Sequence, residues 1–405
     1  MATALVIFLV TYAGVAIGRI PGLMLDRTGI ALLGAIAMVV SGAVPLPQAV
    51  HAIDVSTILL LYALMILSAQ LRLGGFYTRT ALRIAALTAR PRSFLLILML
   101  VSAVLSAVLA NDIVCLAFTP VLCAALLRVG LNPVPFLLGL AVSSNIGSAA
   151  TIIGNPQNML IGQMGRLPFG AFLLWCTPPA LLALAGSYVL LLLCYRRRWA
   201  FPPAIAPDVA ESAWPAFNAW QSSKGLAAAG LLVALFFTDI PRELSAIAVA
   251  GLLLCSRRMK SRRIIELVDW HLLTLFCALF VVIEGIEAAR VPDELVAGLA
   301  GHGVNLQDPL TLTGVSALVS NVVSNVPATM LLVRFLDPLP LEPWYVLAVA
   351  TTFAGNLIAI GSIANLIVLE QARRAGIEIG FWTHARVGLP VTAWSLLVLV
   401  VWILL

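Results

Sequence analysis

Residues 109–113, Leu109-Ala-Asn-Asp-Ile113, set an amide and a carboxylic acid side by side inside an apolar stretch. Ser93 to Val108 on one side and Val114 to Leu127 on the other carry no further charge. Burying an ionisable side chain in hydrocarbon is costly, so a carboxylate at that depth is a candidate functional group. A second arrangement of this kind occurs at Ser324-Asn325-Val326-Pro327. Each is followed by an apolar segment interrupted by Gly and Asn, and the rest of the chain reads outward from these four stretches.

Of the 405 residues, 61% are hydrophobic and 10% charged, and the mean hydropathy is +1.05. A soluble domain carries about 25% charged residues, so this chain reads as an all-α polytopic membrane protein. The net charge of +6 comes from loop arginines and does not indicate a nucleic-acid partner. Ala2 to Gly18 is apolar with no basic residues before it, and reads as a first span rather than a cleaved leader. The cysteines at 115, 123, 176, 194, 255 and 277 form no CxxC pair and read as small packing residues, with no metal cluster.

Apolar segments predict spans near 2–18, 29–48 and 55–71. Residues 72–92 interleave arginines with Phe76, Leu82, Ile84 and Leu87, as in a helix lying in the membrane interface. A hairpin at about 94–127, a broken helix at about 135–162 and a span at 169–194 complete a first half, residues 1–195. A linker, 196–223, rich in Pro and Trp, separates it from a second half, 224–405. There, spans near 225–239, 243–256 and 268–286 precede a hairpin at about 309–336, a broken helix at about 344–370 and a last span at 382–405. The total is about ten spans and two re-entrant hairpins. The arms 95–109 and 113–127 are shorter than the roughly 20 residues a helix needs to cross. Non-helical backbone at depth is tolerated where protein or a watery cavity surrounds it. Loop charge orients the chain. If Arg19 and Arg27 lie inside, all but Arg166, Arg242, Arg290 and Arg334 of the 24 basic residues do too, and both termini lie outside.

The two halves echo each other. Ile53-Asp54 and the apolar run after it resemble Val268-Asp269 and its run, Asn111 matches Asn325, and Ile153-Gly-Asn-Pro-Gln-Asn158 matches Ile360-Gly-Ser-Ile-Ala-Asn365. The matching spans run in opposite directions under the orientation above. This predicts two inverted repeats with broken helices at the midplane, the arrangement that marks a transporter's binding site.

In 144–158, Gly147, Gly154 and Pro156 are read as breaking the helix, and Gly355, Gly361 and Pro327 as permissive positions in the second copy. Broken ends expose N–H and C=O groups. Asn111, Asn145, Ser148, Thr151, Asn155 and Asn158, with Ser324, Asn325, Asn356, Ser362 and Asn365, are the candidate solute ligands. Asp112 is the candidate carrier of a coupling proton, and the alternative for it is a cap on the second hairpin arm. No Lys or Arg reads as lying at depth to clamp an anion, so a neutral solute, a monovalent ion or a dipole-held anion fits better. Asp54 and Asp269 read as helix caps. Glu284 is read as a peripheral proton path or a bystander, and Cys115 as a soft ligand or packing. An intramembrane enzyme would need a second carboxylate beside Asp112, a Ser/His pair or a metal motif, and His51, His271, His302 and His384 fall near span ends or in loops.

At these residues the chain resembles the ion-transporter superfamily, which includes arsenical-pump membrane proteins of the ArsB type, NhaD-type sodium/proton antiporters and divalent-anion/sodium symporters. Leu109-Ala-Asn-Asp112 with Thr119-Pro120 is similar to the arsenical-pump hairpin, Asn145 to Asn158 to the superfamily's Asn-Ile-Gly-Gly-x-Ala-Thr-x-Ile-Gly-x-Pro-x-Asn, and Ser320 to Thr329 to its second hairpin. The symporters carry Ser-Asn-Thr at both tips, whereas this chain has Ala110-Asn111-Asp112 and Ser324-Asn325-Val326. Asn155-Pro156-Gln157-Asn158 is similar to a further group of anion permeases. The resemblance implies proton-coupled efflux of trivalent arsenic or antimony hydroxide from the bacterial cytoplasm across the inner membrane. It leaves open a sodium- or proton-coupled carboxylate or oxyanion carrier and a sodium/proton antiporter. It implies a small inorganic solute or anion as substrate, H+ or Na+ in place of a cofactor, a homodimer, and in some arsenical pumps a cytoplasmic ATPase partner; the arginines of 72–92 and 257–263 themselves read as topology determinants that contact anionic lipid head groups.

Overall fold

The computed structural model describes residues 2–18, 22–196, 198–199, 215–289 and 305–405. Most of the linker, together with Arg19, Arg197, Arg290, Asp293, Glu294 and His302, lies outside the described residues. Among the described residues there are nineteen α-helices and no strand. In order they are α1 (Ala2–Ile17), α2 (Arg27–Val40), α3 (Leu46–Ala52), α4 (Val55–Leu73), α5 (Phe76–Ala85), α6 (Pro91–Val108), α7 (Asn111–Arg128), α8 (Val134–Ser148), α9 (Pro156–Met164) and α10 (Phe169–Cys194). There follow α11 (Ala219–Leu235), α12 (Arg242–Leu254), α13 (Ser261–Ile265), α14 (Trp270–Ala288), α15 (Pro309–Val323), α16 (Asn325–Leu332), α17 (Glu342–Ala354), α18 (Ile363–Arg374) and α19 (Phe381–Leu404). Six of them, α4, α6, α7, α10, α14 and α19, are long and apolar enough to cross a membrane. Exposed apolar side chains such as Val104, Leu181 and Leu397 on α6, α10 and α19 give these helices an outer surface suited to lipid.

Local chemistry sets the helix starts. Asp26 accepts from Gly29 N, Asp54 from Thr57 N at 2.6 Å, Asp269 from Leu272 N at 2.9 Å and Asp308 from Thr311 N at 2.8 Å. Such caps satisfy donors that the helix itself cannot, and each contributes about 0.5–2 kcal/mol. Asp54 and Asp269 therefore do structural work at equivalent places, the starts of α4 and α14.

Several sequence expectations need correction. The segment 29–48 is not one helix: α2 stops at Val40, Gly42 turns with φ +73°, and Pro45 leads into α3. The interfacial helix covers only Phe76–Ala85, while Arg72 belongs to the last turn of α4. Helix α11 begins at Ala219, inside the expected linker, because Asn218 caps it through Gln221 N. The arms of the first hairpin, α6 and α7, have 18 residues each and not 15. Their length alone therefore does not distinguish a hairpin from a pair of spans.

Packing exchanges elements between the halves. Helix α2 lies against α14, and α12 against α4; α7 packs on α18, and α16 on α9; α6 lies along α8, and α15 along α17. Arg242, at the start of α12, donates to the carbonyls of Gly162 and Leu167, and Glu243 accepts from Gln163 and from Ser56. The end of α9 is thereby held to α12 and α4. Glu284 accepts from Gln48 at 2.7 Å, which ties α14 to α3.

Candidate functional site

Two interruptions meet in the middle of the fold. The first, residues 149–155, joins α8 to α9, and the second, 355–362, joins α17 to α18. Asn158 donates through Nδ2 to the carbonyls of Ser148 (3.2 Å) and Thr151 (3.0 Å). Asn365 donates to Gly355 (2.8 Å) and Ile358 (3.4 Å). These are the same two rungs, ten and seven residues back in each case. The carbonyls exposed at these breaks are thus taken by the protein's own amides. Pro156 occupies the first position of α9, where a missing N–H costs nothing.

Asn145, near the end of α8, joins the two interruptions. Its Nδ2 donates to Asn356 Oδ1 at 2.9 Å and to Asn365 Oδ1 at 3.2 Å. Its Oδ1 accepts from Asn111 Nδ2 at 3.2 Å and from Ser362 Oγ at 2.9 Å. Five of the expected ligands therefore form one buried, uncharged network. Asn155 caps α9 through Asn158 N (2.9 Å) and donates to Ser148 Oγ (2.8 Å) and Thr352 Oγ1 (3.4 Å). Ser148 Oγ donates in turn to the carbonyl of Asn145 at 2.8 Å, and Thr151 donates to Ala107 O on the hairpin arm.

The first hairpin tip is sewn to the first break. Asn111 N donates to Gly154 O at 3.1 Å, and Asn111 O accepts from Ser144 Oγ at 3.2 Å. At the second tip Ser324 holds φ +75°, a conformation that costs a non-glycine residue about 1–3 kcal/mol. Asn325 bends its Oδ1 onto Val326 N at 2.9 Å, and Pro327 sits inside the first turn of α16. Neither Ser324 nor Asn325 bonds to the Asn145 network, although both are buried. Five buried polar atoms here make no hydrogen bond: Asn111 Oδ1, Asn158 Oδ1, Ser324 Oγ, Asn321 Oδ1 and Asn356 Nδ2. An unpaired buried group costs about 1–3 kcal/mol, so their gathering at tips and breaks singles this region out as the candidate site.

The glycines act by closeness rather than by unusual dihedrals. Gly147, Gly154, Gly355 and Gly361 are absent from the residues with positive φ. Gly147 lies within α8 and does not break it; a Cβ there would stand 2.4 Å from Ala103 Cα and O on α6. At Gly154 it would stand 2.2 Å from Ser148 O.

Asp112 lies in the first turn of α7, half-buried, and caps nothing: no side-chain cap closes that helix. Its carboxylate has no hydrogen bond or ion pair among the described residues. It lines a cavity of about 80 Å³ with Arg72 and Asp269, walled by Leu64, Met65, Leu116 and Met159. Sequence reasoning missed this in two ways: it placed no cation near the hairpin tip and no second carboxylate beside Asp112. Cys115 is fully buried and is not part of the cavity wall. Asn321, also missed, donates to Ala317 O and Ala354 O, and its place beside Ser320 in the second hairpin motif is the signal that could have found it.

Residues 6–354 match the model of the family described as citrate transporter, CitMHS. The chain belongs to this family. As a member of CitMHS it is similar to Uncharacterized transporter Rv2684 of Mycobacterium tuberculosis, 30% identical over 420 residues, which span 97% of this chain and 95% of that protein. It is also similar to Silicon efflux transporter LSI3 of Oryza sativa, 29% identical, with 92% of this chain and 91% of the other covered. The crystal structure of the Alcanivorax borkumensis YdaH transporter has the same fold, with a TM-score of 0.56, 16% identity and coverage of 99% of this chain and 96% of that one. This CitMHS member is an integral membrane transporter with an all-helical fold.

Proposed function

We propose that this CitMHS protein is a proton-coupled secondary transporter that exports a small uncharged hydroxide, trivalent arsenic or antimony hydroxide in the first place. The observation that carries this reading is the network around Asn145. It is buried, contains only amides and a hydroxyl, and borders polar atoms without partners. Neutral donors and acceptors suit a solute that offers O–H groups and lone pairs together, whereas a multivalent anion would be desolvated there without a counter-charge. The efflux named for the rice relative supports the direction and the kind of solute. The same rungs at Asn158 and Asn365, and the exchange of elements between halves, support two inverted repeats with the solute between the hairpin tips. With the basic loops in the cytoplasm, the hairpins re-entrant and both termini outside, Asp112 would take up a proton as the solute leaves.

A second reading, a proton- or sodium-coupled carrier of a carboxylate, follows from the family's description as citrate transporters. Arg72, which lines the same cavity as Asp112, is in its favour. Purified protein in liposomes, offered labelled arsenous acid, orthosilicic acid and citrate separately under an imposed pH gradient, tests the two. Accumulation of the hydroxides with citrate excluded is expected. Accumulation of citrate alone would overturn the first reading in favour of the second.

A further inference from the structure

Arg72 and Asp269 stand outside the network around Asn145, yet with Asp112 they surround the cavity at the first hairpin tip. We propose that this cavity is a second solute station. It would bind small uncharged polyhydroxides, with Asp112 and Asp269 accepting from the solute's O–H groups and Arg72 donating to its oxygen. The inference rests on the hydroxide reading above and adds a second binding place and two ligands to it.

Size comes first. A water's share of liquid is about 30 Å³, so a cavity of about 80 Å³ holds two to three such groups. That is the scale of a small hydroxide and well below that of a tricarboxylate. Charge comes second. Two carboxylates against one guanidinium leave an acidic wall, which repels an anion and favours a neutral molecule able to donate. Free valence comes third. Asp269 uses Oδ1 on Leu272 N, and no hydrogen bond is made by its Oδ2, by Asp112 or by the Arg72 guanidinium among the described residues. The rest of the wall is apolar, so a bound hydroxide would find its polar partners on these three side chains.

Exposure gives the station a mouth. Asp269 is exposed at the start of α14, while Arg72 and Asp112 are half-buried. The cavity therefore leads from the face bearing the 255–263 loop toward the hairpin tip. Among the described residues the second copy keeps only Asp54, the equivalent of Asp269. At the repeat offsets, Arg72 falls on Glu287, which pairs with Arg334 at 3.2 Å, and Asp112 falls on Val326, which is 1% exposed. A station on one side only would load or release solute at that side.

The test uses the full chain in everted vesicles. Arg72→Gln and Asp269→Asn keep length and shape, and Asn still caps a helix. Each loses one charge-assisted hydrogen bond, which corresponds to a rise of about 10- to 100-fold in the KM for arsenous and orthosilicic acids. The maximal rate should change far less, and citrate should not compete. An unchanged KM in both variants would overturn the station while leaving the transporter reading intact. No hydroxide transport by the parent would instead overturn that reading. A separate arm keeps the station testable in that event. In a background with Cys194, Cys255 and Cys277 replaced by Ser, Leu267→Cys at the cavity wall is labelled with a small charged methanethiosulfonate. Slower labelling in the presence of orthosilicic acid is expected. Equal labelling with and without it would overturn the station whatever the transport assay gives.

Discussion

Asn145→Ala removes one amide and disturbs four partners at once. Asn111 Nδ2 and Ser362 Oγ lose their acceptor, and Asn356 Oδ1 and Asn365 Oδ1 lose a donor. Asn356 would keep no side-chain hydrogen bond at all, since its Nδ2 is already unpaired. Asn365 would retain its rungs to Gly355 and Ile358, so the second break should hold its shape. Two orphaned buried donors at about 1–3 kcal/mol each give a loss of about 2–6 kcal/mol in the arranged site. At about 1.4 kcal/mol per tenfold, that is at least a 25-fold fall in solute affinity or in the fraction of protein holding the competent arrangement. The assay is hydroxide uptake by liposomes containing the variant, with size-exclusion profile and thermal unfolding measured alongside. A double-mutant cycle with Asn356→Ala should give a coupling of about 0.5–3 kcal/mol, because the two residues are in contact. Uptake at the parent's rate by a well-folded Asn145→Ala protein would refute the assignment of this network as the solute site.

Other changes probe the scaffold. Gly147→Ala places a methyl 2.4 Å from the backbone of Ala103, which cannot yield as a flexible side chain would. It should force α6 from α8, cost about 1–3 kcal/mol and lower the thermal midpoint; an unshifted midpoint would count against that contact. Arg242→Gln should give up charge-assisted bonds to the carbonyls of Gly162 and Leu167, worth about 1.5–3 kcal/mol each. Hydrogen exchange at the end of α9 should then quicken while α15 stays protected, and unchanged protection in α9 would contradict the clamp.

The relation between sequence and structure differs from place to place. Asn158 and Asn365 were legible as a pair because they close matching Gly-Asn stretches, and they make the same two backbone rungs. Asp54 and Asp269 were legible as caps because Asp before an apolar run is a local signal, satisfied within three residues. The centrality of Asn145 was not legible. Nothing local separates it from Asn155, and its partners lie 34, 211, 217 and 220 residues away. Arg72 was hidden for a related reason. In sequence it opens a basic run, and only the packing of α4 against α9 brings it to the wall of the cavity that Asp112 lines. Gly147 was read as a break because Gly weakens helices, but here close approach to α6 decides its use.

Everted vesicles with an imposed pH gradient, offered labelled arsenous acid from outside, compare the parent with Asp112→Asn most directly. If Asp112 carries the proton, gradient-driven uptake by the parent disappears in the variant, while exchange of labelled for unlabelled solute without a gradient persists. Gradient-driven uptake by Asp112→Asn equal to the parent's would contradict the coupling role and reduce Asp112 to a wall of its cavity.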